Sequence, residues 1–441
     1  MAYPLPGANV NPLIKRGMLL LLLNLAAVDA AHADTASTTG GIVIRSEDNK
    51  FDAVLGGRLH FDFNDIYPDK GSKFDSGAAE NTGGFFFRRL YLTLGGDLYG
   101  WHYYFEEDLA NSTSPASGLQ DAWISHSFFG YGNILFGQHK PWRSFDEITS
   151  NNEILFLERD VISANGIFGG RDYQDGIFYK YQQKKLLRDG DNFFGGWSVY
   201  SLAKAGQPST QGIGYNARLA YAPLLHERSW LHLGASWSSD HADNANKLSA
   251  GYSSYYARQG TGQNVVSLAG TTAGSNPHAD TYTAELAGAW GPLYLNGEYA
   301  EARYSQPGQA SQTVDAYTVQ ASWTITGESK PYKAEEAVIR SARPLHPYGA
   351  LELALRYDHE RNRDLPANNS KVCAPSAPAT FTLPAGTAID RCDISSMTLG
   401  LNYYANPAVR FLLDYTLGEV DLGSAGKDRP RALSGRVQLV F

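Results

Sequence analysis

The chain alternates. Leu59, Phe61 and Phe63 interleave with Arg58, His60, Asp62 and Asn64, and the same beat of two returns around Tyr215, Leu231, Tyr317, Leu351, Met397, Val409 and Leu433. A period of two gives a strand one apolar and one polar face. No apolar run is long enough to cross a membrane as a helix. The longest, from Gly17 to Val28, has 12 residues and includes Asn24, against about 20 for a spanning helix. A bundle of membrane helices is thereby excluded. Charged residues are only 19% of the chain, against 27 Tyr and 45 Gly. The net charge of -8 argues against a nucleic-acid binder, which should present a basic face. Together these features predict an all-β fold, a transmembrane antiparallel β-barrel.

The N-terminus reads as a secretory signal peptide. Lys15 and Arg16 precede the apolar run, and Ala31-His32-Ala33 supplies a small-x-small cleavage site. The expected cut follows Ala33, leaving residues 34–441 as a single barrel domain; the competing reading of the apolar run is a short buried helix. Sixteen strands are expected, at about 53–64, 86–95, 99–109, 120–128, 132–140, 174–182, 194–203, 213–222, 230–238, 281–290, 292–302, 314–324, 348–358, 396–404, 408–417 and 431–441. An even count puts both ends on the periplasmic side. The gaps then sort into long outer loops, including 141–173, 239–280 and 359–395, and short turns at Gly96-Asp-Leu, Phe129-Gly-Tyr-Gly, Gly291-Pro292 and Ala405-Asn-Pro. The segment 325–347 is too long for this scheme. A barrel of about 16 strands encloses an aqueous channel. Cys373 and Cys392 are the only cysteines; in an exported chain they are expected to form a loop disulfide. Without a CxxC or a Cys/His cluster, neither a metal nor any other cofactor is expected.

Eight segments in order carry a family resemblance. They include Gly56-Gly-Arg-Leu-His-Phe-Asp, Phe87-Arg-Arg-Leu-Tyr-Leu-Thr-Leu-Gly-Gly, Trp101-His-Tyr-Tyr-Phe-Glu-Glu-Asp-Leu, Leu119-Gln-Asp-Ala-Trp and Phe136-Gly-Gln-His-Lys-Pro-Trp. Thr326-Gly-Glu-Ser, Gly349-Ala-Leu-Glu-Leu-Ala-Leu-Arg-Tyr and Leu399-Gly-Leu-Asn-Tyr-Tyr-Ala-Asn-Pro follow. On these, the chain resembles the phosphate-selective porin O/P family of Gram-negative outer membranes. The resemblance implies a homotrimer of sixteen-stranded barrels set in outer-membrane lipid, with the third outer loop (141–173) folded into the lumen. It also accounts for 325–347 as a long periplasmic turn. Small anionic or polar solutes, phosphate among them, would then cross passively past lumen arginines and lysines. Such cations replace the hydration that an oxyanion sheds.

The resemblance marks Arg58, Arg88, Arg89, His102 and Asp121 as pore-lining candidates. Arg58 and Arg89 lie on polar phases of their strands, whereas the pattern does not fix the phase of Arg88. The alternative for any one arginine is a salt bridge that holds the wall or the loop without touching solute. His102 stands where phosphate-selective relatives carry lysine, and it is otherwise a hydrogen-bonded wall residue. On the constriction loop the candidates are Arg143, Glu147, Glu158, Arg159 and Arg171. Glu147 aligns with the family's loop lysine, and 141–173 holds six acids against three arginines. A carboxylate in a narrow passage repels anions over a Debye length of about 8 Å. A porin of weak or cation-leaning selectivity is therefore the main alternative. An outer-membrane enzyme is disfavoured, because no G-x-S-x-G or H-E-x-x-H motif is present.

Overall fold

The computed structural model describes residues 36–37, 41–67, 69, 82–111, 118–128, 132–164, 166–202, 212–243, 247–252, 263–269, 276–365, 373 and 388–441. The expected signal peptide, residues 1–33, lies outside them. Sixteen strands form the wall. They are β1 (Asp52–Tyr67), β2 (Thr82–Leu98), β3 (Trp101–Asp108), β4 (Leu119–Ser127), β5 (Asn133–His139), β6 (Gln174–Lys184), β7 (Asn192–Ser201) and β8 (Gly212–His226). The second half comprises β9 (Ser229–Ala242), β10 (His278–Trp290), β11 (Leu293–Ser305), β12 (Gln312–Thr324), β13 (Ala350–Asn362), β14 (Cys392–Tyr404), β15 (Val409–Asp421) and β16 (Arg431–Val440). Each pairs antiparallel with its neighbour in sequence. β16 returns to β1, from Arg431↔Tyr67 to Val440↔Arg58, and closes the sheet. No edge of the wall is then left to pair with another chain.

Alternation does here what it does in a sandwich, with the faces inverted. On β13, Leu353, Leu355 and Tyr357 are exposed outward, whereas Glu352, Arg356, Asp358 and Glu360 are buried inside. The apolar face meets lipid and the polar face meets the contents of the lumen. The strands differ in length. β10 to β15 have 13 residues each, but β3, β4 and β5 have only 8, 9 and 7.

Three connections enter the lumen. The segment after β5 carries one short helix, α1 (Phe145–Ile148), capped by Ser144, whose hydroxyl accepts from the Glu147 amide; the rest of this third loop is irregular. Between β9 and β10 a hairpin, Lys247–Tyr252 with Gln263–Ala269, buries Leu248, Val265 and Val266. They join Ala300, Ala302, Val314 and Ala316 of the wall and Val161, Ile162, Ile167 and Phe168 of the third loop in one apolar cluster. The long periplasmic turn carries a small hairpin, Tyr332–Lys333 with Val338–Ile339. Wall donors hold its carbonyls: Trp230 Nε1 on Lys330 (2.8 Å), Asn192 Nδ2 on Ala334 (3.2 Å), and Arg218 on Glu336 and Ala337 (both 2.9 Å).

Two details depart from the sequence reading. The turn expected at Gly96-Asp-Leu lies instead at Tyr99-Gly100, and Gly96, Asp97 and Leu98 continue β2 opposite Tyr103, His102 and Trp101. Both turn residues have positive φ, 50° and 81°, as a two-residue hairpin matched to strand twist requires. A short strand, Gly41–Arg45, also pairs with the start of β1, ahead of the first expected element. Cys373 and Cys392 are joined as a disulfide, with Cα atoms 5.7 Å apart, and both lie in the apolar cluster below the outer loops.

Gly100→Val should destabilise the barrel by about 1–2 kcal/mol, the cost of a β-branched residue in a left-handed conformation. Gly297→Ala, at a strand position whose added carbon would meet only Thr318 O at 3.9 Å, should be close to neutral. Urea unfolding of the refolded protein compares the two; equal effects would contradict the turn assignment.

Candidate solute passage

The arginine pair shows how strand geometry builds the site. His60 lies opposite Arg89 while Phe61 lies opposite Phe87, so Arg88 is the extra residue of a bulge. A bulge puts two residues against one and re-aims a side chain. Arg88 therefore joins Arg89 on the inner side, although they are adjacent in sequence. Both reach Glu158 of the third loop. Arg88 makes a fork to its two carboxylate oxygens at 2.6 and 3.0 Å, and Arg89 approaches to 3.8 Å. Arg436 adds a contact at 3.5 Å while forking Asp62 at 2.7 Å through two nitrogens. Burial alone would raise the Glu158 carboxyl, but Arg88, Arg89 and Arg436 hold it well below the ordinary range.

The remaining wall groups satisfy the loop's backbone. Arg410 donates to the carbonyls of Ile154 (2.9 Å) and Leu155 (3.2 Å), Arg356 to Glu158 (2.8 Å) and Arg436 to Leu157 (2.7 Å). In the opposite sense, Asp414 accepts the Leu157 amide (2.8 Å). Glu298 accepts the amides of Phe145 (2.9 Å) and Asp146 (3.0 Å) at the start of α1. Arg143 is fully buried, stacked over Phe168 at 4.3 Å, and donates to Arg171 O and to Tyr200 Oη (3.1 Å). Arg171 bonds Asp240 at 2.7 Å. Arg143, Arg171 and Glu158, expected at the constriction, thus stand in the interface between loop and wall. Arg88 and Arg89, expected to line the pore, join them there.

Glu147 also turns away from the lumen. Its carboxylate is buried, accepts the Ala164 amide at 2.8 Å and lies 3.5 Å from Lys140. Burial, only partly offset by Lys140, pushes this carboxyl up to about 7. The same lysine bonds Asp172 at 2.9 Å. Asp146 accepts the Asp160 amide, Asp160 accepts from Gln320, and Glu153 accepts the Ser341 amide. All six loop acids therefore have an internal partner, and Glu147 is not among the side chains that border the cavity.

The candidate passage lies along β1 to β6. A cavity of about 300 Å³ lies between this wall and residues 148–151 of the loop, bordered by Arg58, Tyr104, Glu106, Asp121, Trp123, His139, Lys140, Arg159, Lys333 and Glu336. Arg58 pairs with Glu106 and lies over the Tyr91 ring at 4.7 Å. Asp121 bonds His139 (2.7 Å), and Lys333 bonds Glu336 (2.6 Å). Arg159 donates to the carbonyls of Asp146 and Thr149. Tyr104 and Trp123 also border a second, more open space of about 540 Å³, with Asp97, His102 and Lys180. There His102 pairs with Asp97 and is half exposed. Of the expected residues, Arg58, Asp121, Arg159 and His102 thus face the path. Tyr104, Glu106, Trp123, His139, Lys140, Lys180, Lys333 and Glu336 were not anticipated. Strand phase alone could have found Tyr104 and Glu106, which share a face with His102, and Trp123, which shares one with Asp121.

Known proteins match this architecture. The family model described as phosphate-selective porin O and P matches residues 54–441. Porin O of Pseudomonas aeruginosa is 27% identical, over 96% of this chain and 98% of that protein. Among solved structures, an anion-selective porin from Comamonas acidovorans shares the fold with a TM-score of 0.53 at 12% identity, covering 88% of this chain and 99% of its own. The outer membrane channel DcaP of Acinetobacter baumannii does so with a TM-score of 0.52 at 13% identity, covering 91% and 100%.

Glu158→Gln should leave three buried arginines undercompensated and loosen the third loop by about 3–5 kcal/mol, read as a lower melting temperature and noisier single-channel current. Glu147 has the opposite pH signature. A carboxyl raised from 4.5 to about 7 stabilises the fold fully below pH ~4.5, and that contribution is lost as pH rises through ~7. Channel noise in the native protein should grow across this window and stay flat in Glu147→Gln. Identical pH profiles would contradict the buried placement.

Proposed function

The chain belongs to the family of phosphate-selective porins O and P and is an outer-membrane porin of a Gram-negative bacterium; we propose that its passage favours small anions by a modest margin. Membership of this family supports a channel reading. The observation that carries the anion reading is the set of charged side chains that border the narrow cavity, among which Lys140 is also shared with Glu147 and Asp172 of the loop. Four cations (Arg58, Lys140, Arg159, Lys333) face the narrow cavity against three carboxylates (Glu106, Asp121, Glu336). Lys180 and Asp97 balance in the wider space. An excess of one cation among the side chains at the cavity surface biases a channel toward anions without making it strictly selective. Arginine and lysine N–H groups replace the water an oxyanion sheds on entry; mixed donors and carboxylates in series let it leave again.

Self-association into a trimer is part of the same reading, and the short strands support it. At about 3.4 Å per residue and a tilt of about 40°, a strand of 8 residues rises roughly 20 Å, below the ~25 Å apolar band of an outer-membrane barrel. Strands of 13 residues rise roughly 34 Å by the same measure. A wall as low as β3 to β5 is better covered by a second copy than by lipid. Beside it, Phe61, Phe85 and Phe87 pack together on the outer face, with Phe61 and Phe85 stacked at 6.0 Å and Phe61 and Phe87 at 5.1 Å. The 13-residue strands of β10 to β15 face lipid.

Lys333→Gln tests the anion reading in planar bilayers. The chloride-to-potassium permeability ratio should fall to about one or below, while Lys185→Gln, exposed on a turn and paired with Asp189, should leave it unchanged. An unaltered ratio in Lys333→Gln would count against the surplus-charge argument.

A further inference from the structure

Charge does not account for the wall of the narrow cavity, because much of it is aromatic. Tyr104 on β3, Trp123 on β4 and His139 on β5 face the lumen from three adjacent strands. Their ring centroids are 5.7 Å apart for Tyr104 and Trp123, and 6.2 Å for Trp123 and His139. Trp142 continues the row 5.1 Å beyond His139. Gly137 is the β5 residue directly opposite Trp123, so no side chain from that strand covers the indole. A Cβ on Gly137 would meet Ala122 O at 2.2 Å, and its φ is 130°, so the position is held to glycine.

Two donors along this row have no hydrogen-bond acceptor among the described residues. The indole N–H groups of Trp123 and Trp142 are buried and make no hydrogen bond, although both residues border the cavity; Trp142 is 1% exposed. Arg58 and Lys140 border the same cavity. Arg58 pairs with Glu106, and Lys140 lies 5.0 Å from the Tyr173 ring while bonded to Asp172. Cations already paired in this way are poor hosts for a bare, highly hydrated oxyanion. They suffice for a single carboxylate whose carbon body is desolvated elsewhere.

We propose that the preferred solute of this passage is a small organic anion with a flat ring, an aromatic carboxylate. Its charge would meet Arg58 and Lys140 while its ring slides on Tyr104 and Trp123. The aromatic row supplies dispersion and offset stacking that act equally along its length; a solute is therefore held without being fixed. This inference rests on the anion-porin reading and narrows its solute class.

The test is block of chloride current through single channels by benzoate and by acetate, which carry the same charge with and without a ring. Benzoate should half-block at a concentration roughly three- to tenfold lower than acetate. The ratio is read within each variant, which cancels any change in open current. Trp123→Phe should keep the ratio, and Trp123→Leu should bring it to about one. Tyr104→Leu, which should also lower it, serves if Trp123→Leu does not insert. Equal block by the two anions in the native channel, or a ratio that survives both leucine variants, would overturn the proposal. Block by neutral glucose as strong as by benzoate would overturn it too, in favour of sugar stacking. A native channel that prefers potassium to chloride would instead defeat the anion-porin reading beneath it.

Discussion

A loop laid inside a barrel has no sheet to join, and its backbone polar groups must find partners on the wall or go without. Here the wall supplies them in both senses. Arg356, Arg410 and Arg436 donate to carbonyls of residues 154–158, and Asp414 and Glu298 accept amides. The same set fixes where the loop's own charges can go. Glu158 is drawn onto Arg88 and Arg436, Glu147 onto Lys140, and Arg171 onto Asp240. What remains to border the cavities is the inner face of β3 to β6, together with Arg58 of β1. The position and the charge of the passage therefore both follow from how the third loop is anchored.

The wall was legible in the sequence because lipid enforces alternation one strand at a time. All sixteen expected strands are present; 132–140 and 194–203, notable among several whose sequences alternate weakly, correspond to β5 and β7. Errors cluster where the local rule is different. The Tyr99-Gly100 hairpin was placed three residues early because Gly96 looked like the breaker, whereas the backbone uses Gly100 at φ 81°. The phase of Arg88 could not be read, because a bulge is set by register against β1 rather than by the residues of β2 alone.

The site was less legible, for a related reason. A loop's sequence gives its net charge but not its partners, so six acids against three arginines suggested an electronegative constriction. In the fold those acids are answered within the loop, by Lys140 beside it, or by residues up to some 280 positions away, as with Glu158 and Arg436. The strand pattern shows 325–347 as an interruption, and the resemblance identifies it as a long periplasmic turn without saying where it goes. It enters the lumen and brings Lys333 and Glu336 to the cavity, which no local periodicity could announce. The aromatic row of Tyr104, Trp123 and His139 lay in view in the strands, but reading charges alone passed over it.

The most direct measurement is the reversal potential of the purified protein in a planar bilayer under a tenfold KCl gradient. If the loop acids are neutralised within the loop–wall interface, and the path retains a small positive surplus, the potential takes the sign of chloride preference and stays well short of the ideal anion limit. A clear potassium preference would mean that carboxylates do face the passage, and would contradict the arrangement described here.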